Sequence, residues 1–434
     1  MKRYLYLVTI GSVICLLTVC GGVSAEESLY PVRKDGRYGY IDAQGGMAIE
    51  PQWAYAGCFQ DGYAIVGNGG QYENGLIDAE GSIIVPQEYS INYQCGVYIV
   101  IGDAEACGKY GFFDPQNQTF IPPQYQYITN SHARNNHLIL VKDHGKFGYV
   151  DRRNGKMEIA CMYDEPIFQA QFRDGYAIAC TLLKRDDGIY YEFHLIVESG
   201  DEILFPSGVC LAADVFCGLS EGRVIIQDRM TGLYGFGDVA GNITVDPQYE
   251  MVRNYSEGYA AVLQNGLWGH IDYAGNSVQE CSFRLHAEDE SELGYSFSNG
   301  IALLQTEDDY FAIDYDGNIL FRIECDEVFP FMDTGYAMFR NGYQYGLLNR
   351  TGEIAAYPEY SVNDISPDFS EGLLAVRKDK KFGFIDGTGF EKIEIRFDDA
   401  ADFCNGLAYV IIDEKQAYID HDGHIVWIEG ETIE

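Results

Sequence analysis

The chain has 434 residues, 47% hydrophobic and 14% aromatic, with 49 Gly and 34 Tyr but only 12 Pro. That apolar content can bury a core and excludes a disordered chain, and the Gly and Tyr load points to strands and turns. A net charge of −37, from 29 basic against 66 acidic residues, repels phosphate backbones and anionic lipid, which argues against a nucleic-acid or peripheral-membrane binder and leaves cations or a basic partner.

The first element in chain order reads as an export signal. Lys2 and Arg3 are followed by the uncharged run Tyr4 to Val19 and the small-residue site Val23-Ser24-Ala25. Cleavage after Ala25 is expected, giving an exported protein, secreted or held at the cell envelope. The alternative is a lipoprotein with Cys20 lipidated, from Leu17-Thr18-Val19-Cys20, although Val19 is a poor residue before the cysteine. The segment is short for an uncleaved anchor. No membrane span is expected in the mature chain, residues 26–434.

Self-similarity organises the rest. GRYGYID (36–42) returns as GKYGFFD (108–114), GKFGYVD (145–151), GLYGFGD (232–238), GLWGHID (266–272) and KFGFID (381–386). Looser copies end at Asp78, Asp314, Asn349 and Asp420, and a weak one at Glu198. A second motif, F-x-x-G with an apolar run, keeps the same phase, as in FQDGYAIV (59–66), YSEGYAAV (255–262) and FSEGLLAV (369–376). A third follows the Asp, as in IIVPQEY (83–89) and ITVDPQY (243–249).

One unit is therefore strand A (GYAIV), strand B (GRYGYID) and strand C (IIVPQEY), a three-stranded antiparallel meander. Asp35-Gly36, Asn265-Gly266 and Asn341-Gly342 suit type I′ turns between A and B. Asp/Asn-x-x-Gly between B and C suits an Asx turn. Pro86, Pro122, Pro247 and Pro358 are expected to end strand C, because proline cannot donate to a ladder.

These motifs resemble the bacterial WG repeat, a family whose consensus runs roughly G-K-W-G-F-I-D, a Gly turn, I-P, a Tyr and F-x-x-G-L-A-x-V. The resemblance runs from about Leu29 to Trp427. Tyr or Phe mostly replaces the signature Trp, which only Trp268 keeps, and residues 181–221 form an enlarged, degenerate unit. The family implies architecture and little chemistry.

The fold class is accordingly all-β. It comprises tandem meander repeats, about eleven units of roughly 36 residues. Propellers usually have four to eight blades, and the frame is complete at both ends with no strand donated between termini. An open superhelical stack is therefore expected, with one or two β-propellers as the alternative.

Each chemical motif has a structural counterpart. Trp268, His270 and Asp272 share a strand face, yet they occupy the positions of Tyr38, Tyr40 and Asp42 in another copy. Gly218-Leu219-Ser220-Glu221-Gly222 fits a nucleophile elbow, but Ser256-Glu257-Gly258 and Ser370-Glu371-Gly372 repeat it in phase, which marks a turn. The Asp ladder from Asp42 to Asp420, including Asp314-Tyr315-Asp316-Gly317-Asn318, lacks calcium-loop spacing. His421 and His424 offer two ligands, too few for a metal site.

Ten cysteines lie beyond residue 25, none in a C-x-x-C pair. Scattered burial as small apolar residues is favoured over disulfides, which export would permit. The aromatic rows Tyr38, Tyr110, Phe147, Tyr234, Trp268, Tyr345, Phe382 and Tyr40, Phe112, Tyr149, Phe236, His270, Phe384 are expected to pack against the next repeat, over glycines such as Gly39 and Gly235.

The expected function is that of an exported, non-enzymatic protein presenting a β-repeat surface to a protein partner, with no catalytic residue, cofactor or metal. One alternative is a cell-wall or glycan binder using the aromatic rows. The other is an enzyme with its site hidden in residues 181–221.

Overall fold

The computed structural model describes residues 28–431 apart from 71, 103–107, 130–135, 165–169, 186–187, 213–217, 284–295, 306–308 and 362–368. Residues 1–25, expected to be an export signal, lie outside the described residues. Among those described there are strands and no α-helix, so none is present to cross a membrane.

The sheets follow the repeat. A representative one orders Met251–Val252, Tyr259–Gln264, Leu267–Asp272 and Ser277–Phe283, all antiparallel. The last three are strands A, B and C. The first is a short strand D, which the sequence frame treated only as a connector. Two units fuse because Ile83–Gln94 runs on from strand C of one into strand D of the next, giving a seven-stranded sheet. In the degenerate unit, strands A and B lengthen to Tyr176–Arg185 and Gly188–Val197, ten residues each.

The turns follow from backbone chemistry. Asp35 and Gly36 have φ of 52° and 80°, and Asn265 and Gly266 have 53° and 71°, as a type I′ turn needs. The turn at Asn341-Gly342 is displaced by one residue. Asn341 pairs with Gln344, so Gly342 and Tyr343 are central, and of these Gly342 takes positive φ.

The prolines do not end strand C. Pro86, Pro122, Pro247 and Pro358 all lie inside it. They are accommodated by a bulge that recurs in most units. Tyr234 pairs with Tyr249 and Phe236 with Val245, so strand B advances two residues while strand C advances four. The bulged backbone drops onto the strand-B glycine. A Cβ on Gly235 would lie 2.4 Å from the Val245 carbonyl oxygen, and one on Gly39 would lie 2.4 Å from that of Ile49. These glycines therefore serve a close approach within their own unit, and not the neighbouring repeat as expected.

Buried side chains gather into eleven clusters, one at each joint between units. Between the sixth and seventh units, Ile225, Phe236 and Val245 meet Ala260, Val262 and Ile271. Between the seventh and eighth, Ala261 and Trp268 meet Ala302, Leu304 and Phe311. One further joint also carries a buried ion pair: Arg152 donates from Nε and Nη2 to Asp114, at 2.9 and 2.5 Å, and from Nη2 to the Gly96 carbonyl at 2.7 Å.

The eleventh cluster joins the two ends. Tyr30, Val32 and Ile41 of the first unit pack on Leu407 and Tyr418 of the last. Tyr418 donates its hydroxyl proton to the Pro31 carbonyl at 2.9 Å, and Tyr30 donates to the Asn405 carbonyl. The turn at Gly45 sits on the Val426 carbonyl, as the turn at Gly275 sits on Val245 one unit back. The expected open stack is thus replaced by a single closed, propeller-like ring of eleven units. A frame complete at both ends removes the need for strand exchange, but the units join through their faces, so closure needs no exchange.

Gly235→Ala is expected to lower stability by about 1–3 kcal/mol, through overpacking against the bulge, read as a fall in the urea midpoint. An unchanged midpoint would show that the bulge is not held by this approach.

Candidate interaction surface

In many units strand A is entered through a turn of the F-x-x-G type, and several of these entry turns are wired together. Glu221 accepts the backbone N–H groups of Glu257 and Gly258, at 2.7 and 3.0 Å. Glu257 accepts those of Asn299 and Gly300, at 2.6 and 2.8 Å. Glu371 does the same for Gly406 at 3.0 Å. The Ser-Glu-Gly at 220–222, with φ of 50° and 69° at Glu221 and Gly222, is a two-residue turn. Its serine donates to the Tyr255 carbonyl of the next unit at 2.8 Å. The recurrence of Ser-Glu-Gly was visible in the sequence; that its carboxylate clamps the following turn was not.

The B-to-C carboxylates cap their own turns. Asp272 Oδ1 accepts from the N–H of Ala274 at 2.9 Å and of Asn276 at 2.8 Å. Asp238, Asp314 and Asp420 repeat this pair of bonds. The Asn276 side-chain amide, together with these backbone donors and against burial, holds the Asp272 carboxyl below the usual aspartate range. Asp238, Asp314, Asp386 and Asp420 are also lowered: burial works against ionisation there, and the turn's hydrogen bonds outweigh it. Among the described residues no group of three His, Cys, Asp or Glu gathers as a metal set. His421 and His424 diverge. His421 stacks on Phe403 at 4.4 Å and meets Glu371 at 2.9 Å, while His424 meets Asp420 at 3.2 Å.

The inner aromatic row is buried. Tyr40, Phe112, Tyr149, Phe236, His270 and Phe384 are all at most 1% exposed. His270 sits edge-on to Phe297 of the next unit, with Nδ1 2.9 Å from Gln279 Oε1. In the other row Phe147, Trp268 and Phe382 are buried and Tyr38, Tyr110, Tyr234 and Tyr345 half-buried. The rows pack between units and do not form an open stacking platform.

The degenerate unit holds one chain of chemistry. Thr181 Oγ1 is 2.8 Å from His194 Nε2, and His194 Nδ1 is 2.9 Å from Glu202 Oε1. A hydroxyl, imidazole and carboxylate in this order have the connectivity of an acyl-transfer relay. Here the three lie side by side across strands A, B and C, with Glu202 exposed. The shallow cleft of about 280 Å³ lined by Tyr249, Gln264, Asn265 and Gln279 lies elsewhere.

Exposed apolar side chains recur at the start of strand C. Its first residue is a large, exposed apolar side chain in five units: Met47, Ile83, Met157, Ile319 and Ile354. Three consecutive units, the eighth to the tenth, carry an apolar run of Ile319, Leu320, Ile354, Tyr357 and Phe390. Phe390 is 67% and Tyr357 71% exposed. The sequence showed these residues but could not distinguish the outward positions of strand C from the packed ones.

The family model for the WG containing repeat matches residues 38–72, 110–147, 147–181, 234–268, 310–344, 345–382 and 382–415. The chain is a WG-repeat protein. No curated protein matches this WG-repeat chain. Among solved structures it is similar to a crystal structure of the eukaryotic initiation factor, at 9% identity, with a TM-score of 0.41 over 93% of this chain and 95% of that one. It is also similar to apo AztD from Citrobacter koseri, at 11% identity and a TM-score of 0.33 over 77% and 91% of the two chains. A third is the extracellular domain of the putative hybrid two component system BT3049 from B. thetaiotaomicron, at 11% identity and a TM-score of 0.24 over 88% and 65%. At these scores none bears on the function of the WG-repeat ring.

The lowered aspartates make the ring acid-sensitive. A carboxyl lowered in the folded state contributes stability that is complete above its unfolded pKa of about 3.9 and is lost as pH falls through the folded value. The urea midpoint is expected to hold from pH 6 to about 5, then fall steeply below about pH 4. Millimolar calcium should leave the melting curve unchanged. A midpoint constant down to pH 2.5, or a calcium-induced rise in melting temperature, would overturn the turn-capping role.

Proposed function

We propose that this WG-repeat ring is an exported, non-enzymatic protein that holds a protein partner at or outside the bacterial cell envelope. The observation that carries the reading is the set of exposed apolar side chains on, or just before, strand C of the eighth to tenth units. Exposed apolar side chains repeated in phase over neighbouring units offer a surface of the kind that marks interaction sites. The signal-like residues 1–25 support export, and the net charge of −37 favours a partner that is basic around an apolar stripe.

The edge itself is unsuited to strand addition. Pro51, Pro86, Pro123, Pro247 and Pro358 interrupt strand C in five units, as edge-blunting prolines do. Recognition therefore falls to side chains. Burial of the inner aromatic row leaves only the half-buried tyrosines of the outer row for the alternative glycan reading. The Thr181–His194–Glu202 chain is read as a cross-strand hydrogen-bond ladder in an exposed setting.

The test is capture from envelope extract with residues 26–434 as bait, beside a Phe390→Asp, Ile354→Asp variant. A protein partner retained by the parent and reduced at least tenfold by the variant is the expected result. Equal retention by both baits would refute the assigned surface. Recovery of the protein solely from the cytosol would refute export. Covalent labelling of Thr181 by a phosphonate probe would refute the non-enzymatic reading.

A further inference from the structure

Ten of the eleven joints are crossed by the polypeptide chain. The joint between the last unit and the first is crossed by none, and only non-covalent contacts hold it. If it opens, it exposes the apolar faces built on Tyr30 and Val32 and on Leu407 and Tyr418.

Two cysteines meet beside this joint, one in the last unit and one at the entry to the second. Phe59 leads into the second unit and lies against Tyr40 of the first, with ring centroids 5.0 Å apart. Cys58 precedes it, and the Gly57 carbonyl accepts from Tyr40 at 3.0 Å. On the other side Cys404 follows Phe403 in the last unit. The segments touch: Asn405 Nδ2 donates to the Phe59 carbonyl at 3.5 Å across 346 residues of chain. The Cys58 thiol is held below its ordinary value by the neighbouring Cys404 thiol. Cys58 is exposed and Cys404 partly so.

The placement is not a by-product of the repeat. Positions equivalent to Cys404 hold Gln60, Arg173, Ser256, Ser298 and Ser370, and those equivalent to Cys58 hold Gln171, Asn254 and Ser296. The burial expected of the cysteines describes Cys180, not this pair.

We propose that Cys58 and Cys404 form a disulfide that closes the eleven-unit ring covalently. The oxidant is a disulfide of the thiol-exchange class. The Cys58 thiolate attacks one of its sulfurs, releasing one thiolate and forming a mixed disulfide. The Cys404 thiolate then attacks the Cys58 sulfur and releases the second. The two protons lost by the protein end on the two thiols released, and the two electrons reduce the oxidant. Cys58 is the better first nucleophile, because it is the more exposed of the two. The surroundings are otherwise phenolic, with Tyr30, Tyr40, Tyr55 and Tyr418 around the pair and Glu371 acting on Tyr30. An oxidising location for this chemistry rests on the export reading; the pairing itself does not.

The purified chain of residues 26–434 is incubated with oxidised glutathione, alkylated, digested and mapped by mass spectrometry. One cross-linked peptide joining Cys58 to Cys404 is expected, with a melting temperature several degrees above the reduced protein and reversal by dithiothreitol. Cys58→Ser and Cys404→Ser should each lose the cross-link and the shift, while melting like the reduced parent. Separate peptides carrying glutathione or alkyl groups, or links to other cysteines, would overturn the proposal whatever the cellular location. A second arm traps thiols in intact cells. The link in envelope-derived protein supports both readings. A link formed in vitro but replaced by free thiols in cells overturns export alone.

Discussion

The constraint on which everything else rests is that the central strands of each unit are apolar on both faces. Strands such as Leu138–Asp143 and Lys146–Asp151 are buried at nearly every position, not at alternate ones. A sheet of this kind needs a neighbour on each side. A linear array satisfies that everywhere except at its ends, where polar capping repeats are needed. Among the described residues both terminal units carry apolar faces. The first unit presents Tyr30, Val32 and Ile41, the last Leu407 and Tyr418. Circular closure is the arrangement in which neither face meets water. Eleven units exceed the usual propeller count, so each joint turns through about 33° on average.

Within a unit, the geometry that makes both faces available comes from strand C. Its bulge over the strand-B glycine curls the edge strand, and the Asx turn before it fixes where the strand begins. The glycine of that turn then rests on strand C of the preceding unit, as Gly81 rests on Ile49 and Gly423 on Ile393. One local device thus shapes the unit and sets its distance from its neighbour. The Glu221, Glu257 and Glu371 clamps add a polar seam between adjacent entry turns, and Arg152 with Asp114 supplies a buried ionic one between the third and fourth units.

The repeat, its three main strands and the turn chemistry at Asp35-Gly36 and Asn265-Gly266 were legible because each depends on neighbouring residues. Closure was legible in principle, since apolar residues at both terminal faces argue against an open end, but completeness of the frame pointed the other way. The bulge was hidden because Pro86 or Pro247 reads as a strand terminator until the facing glycine is known. The contact between Cys58 and Cys404 could not be read at all: it exists only because residues 346 apart meet at the seam. The apolar run from Ile319 to Phe390 was likewise invisible, since strand C looks equally apolar at packed and exposed positions.

Small-angle scattering from residues 26–434 tests the closed ring most directly. Sheets packed about 10 Å apart would span about 110 Å in an open stack of eleven, but roughly 60 Å across as a ring. A pair-distance distribution ending near the smaller dimension is the predicted result. A rod-like distribution with a tail extending toward 110 Å would contradict closure.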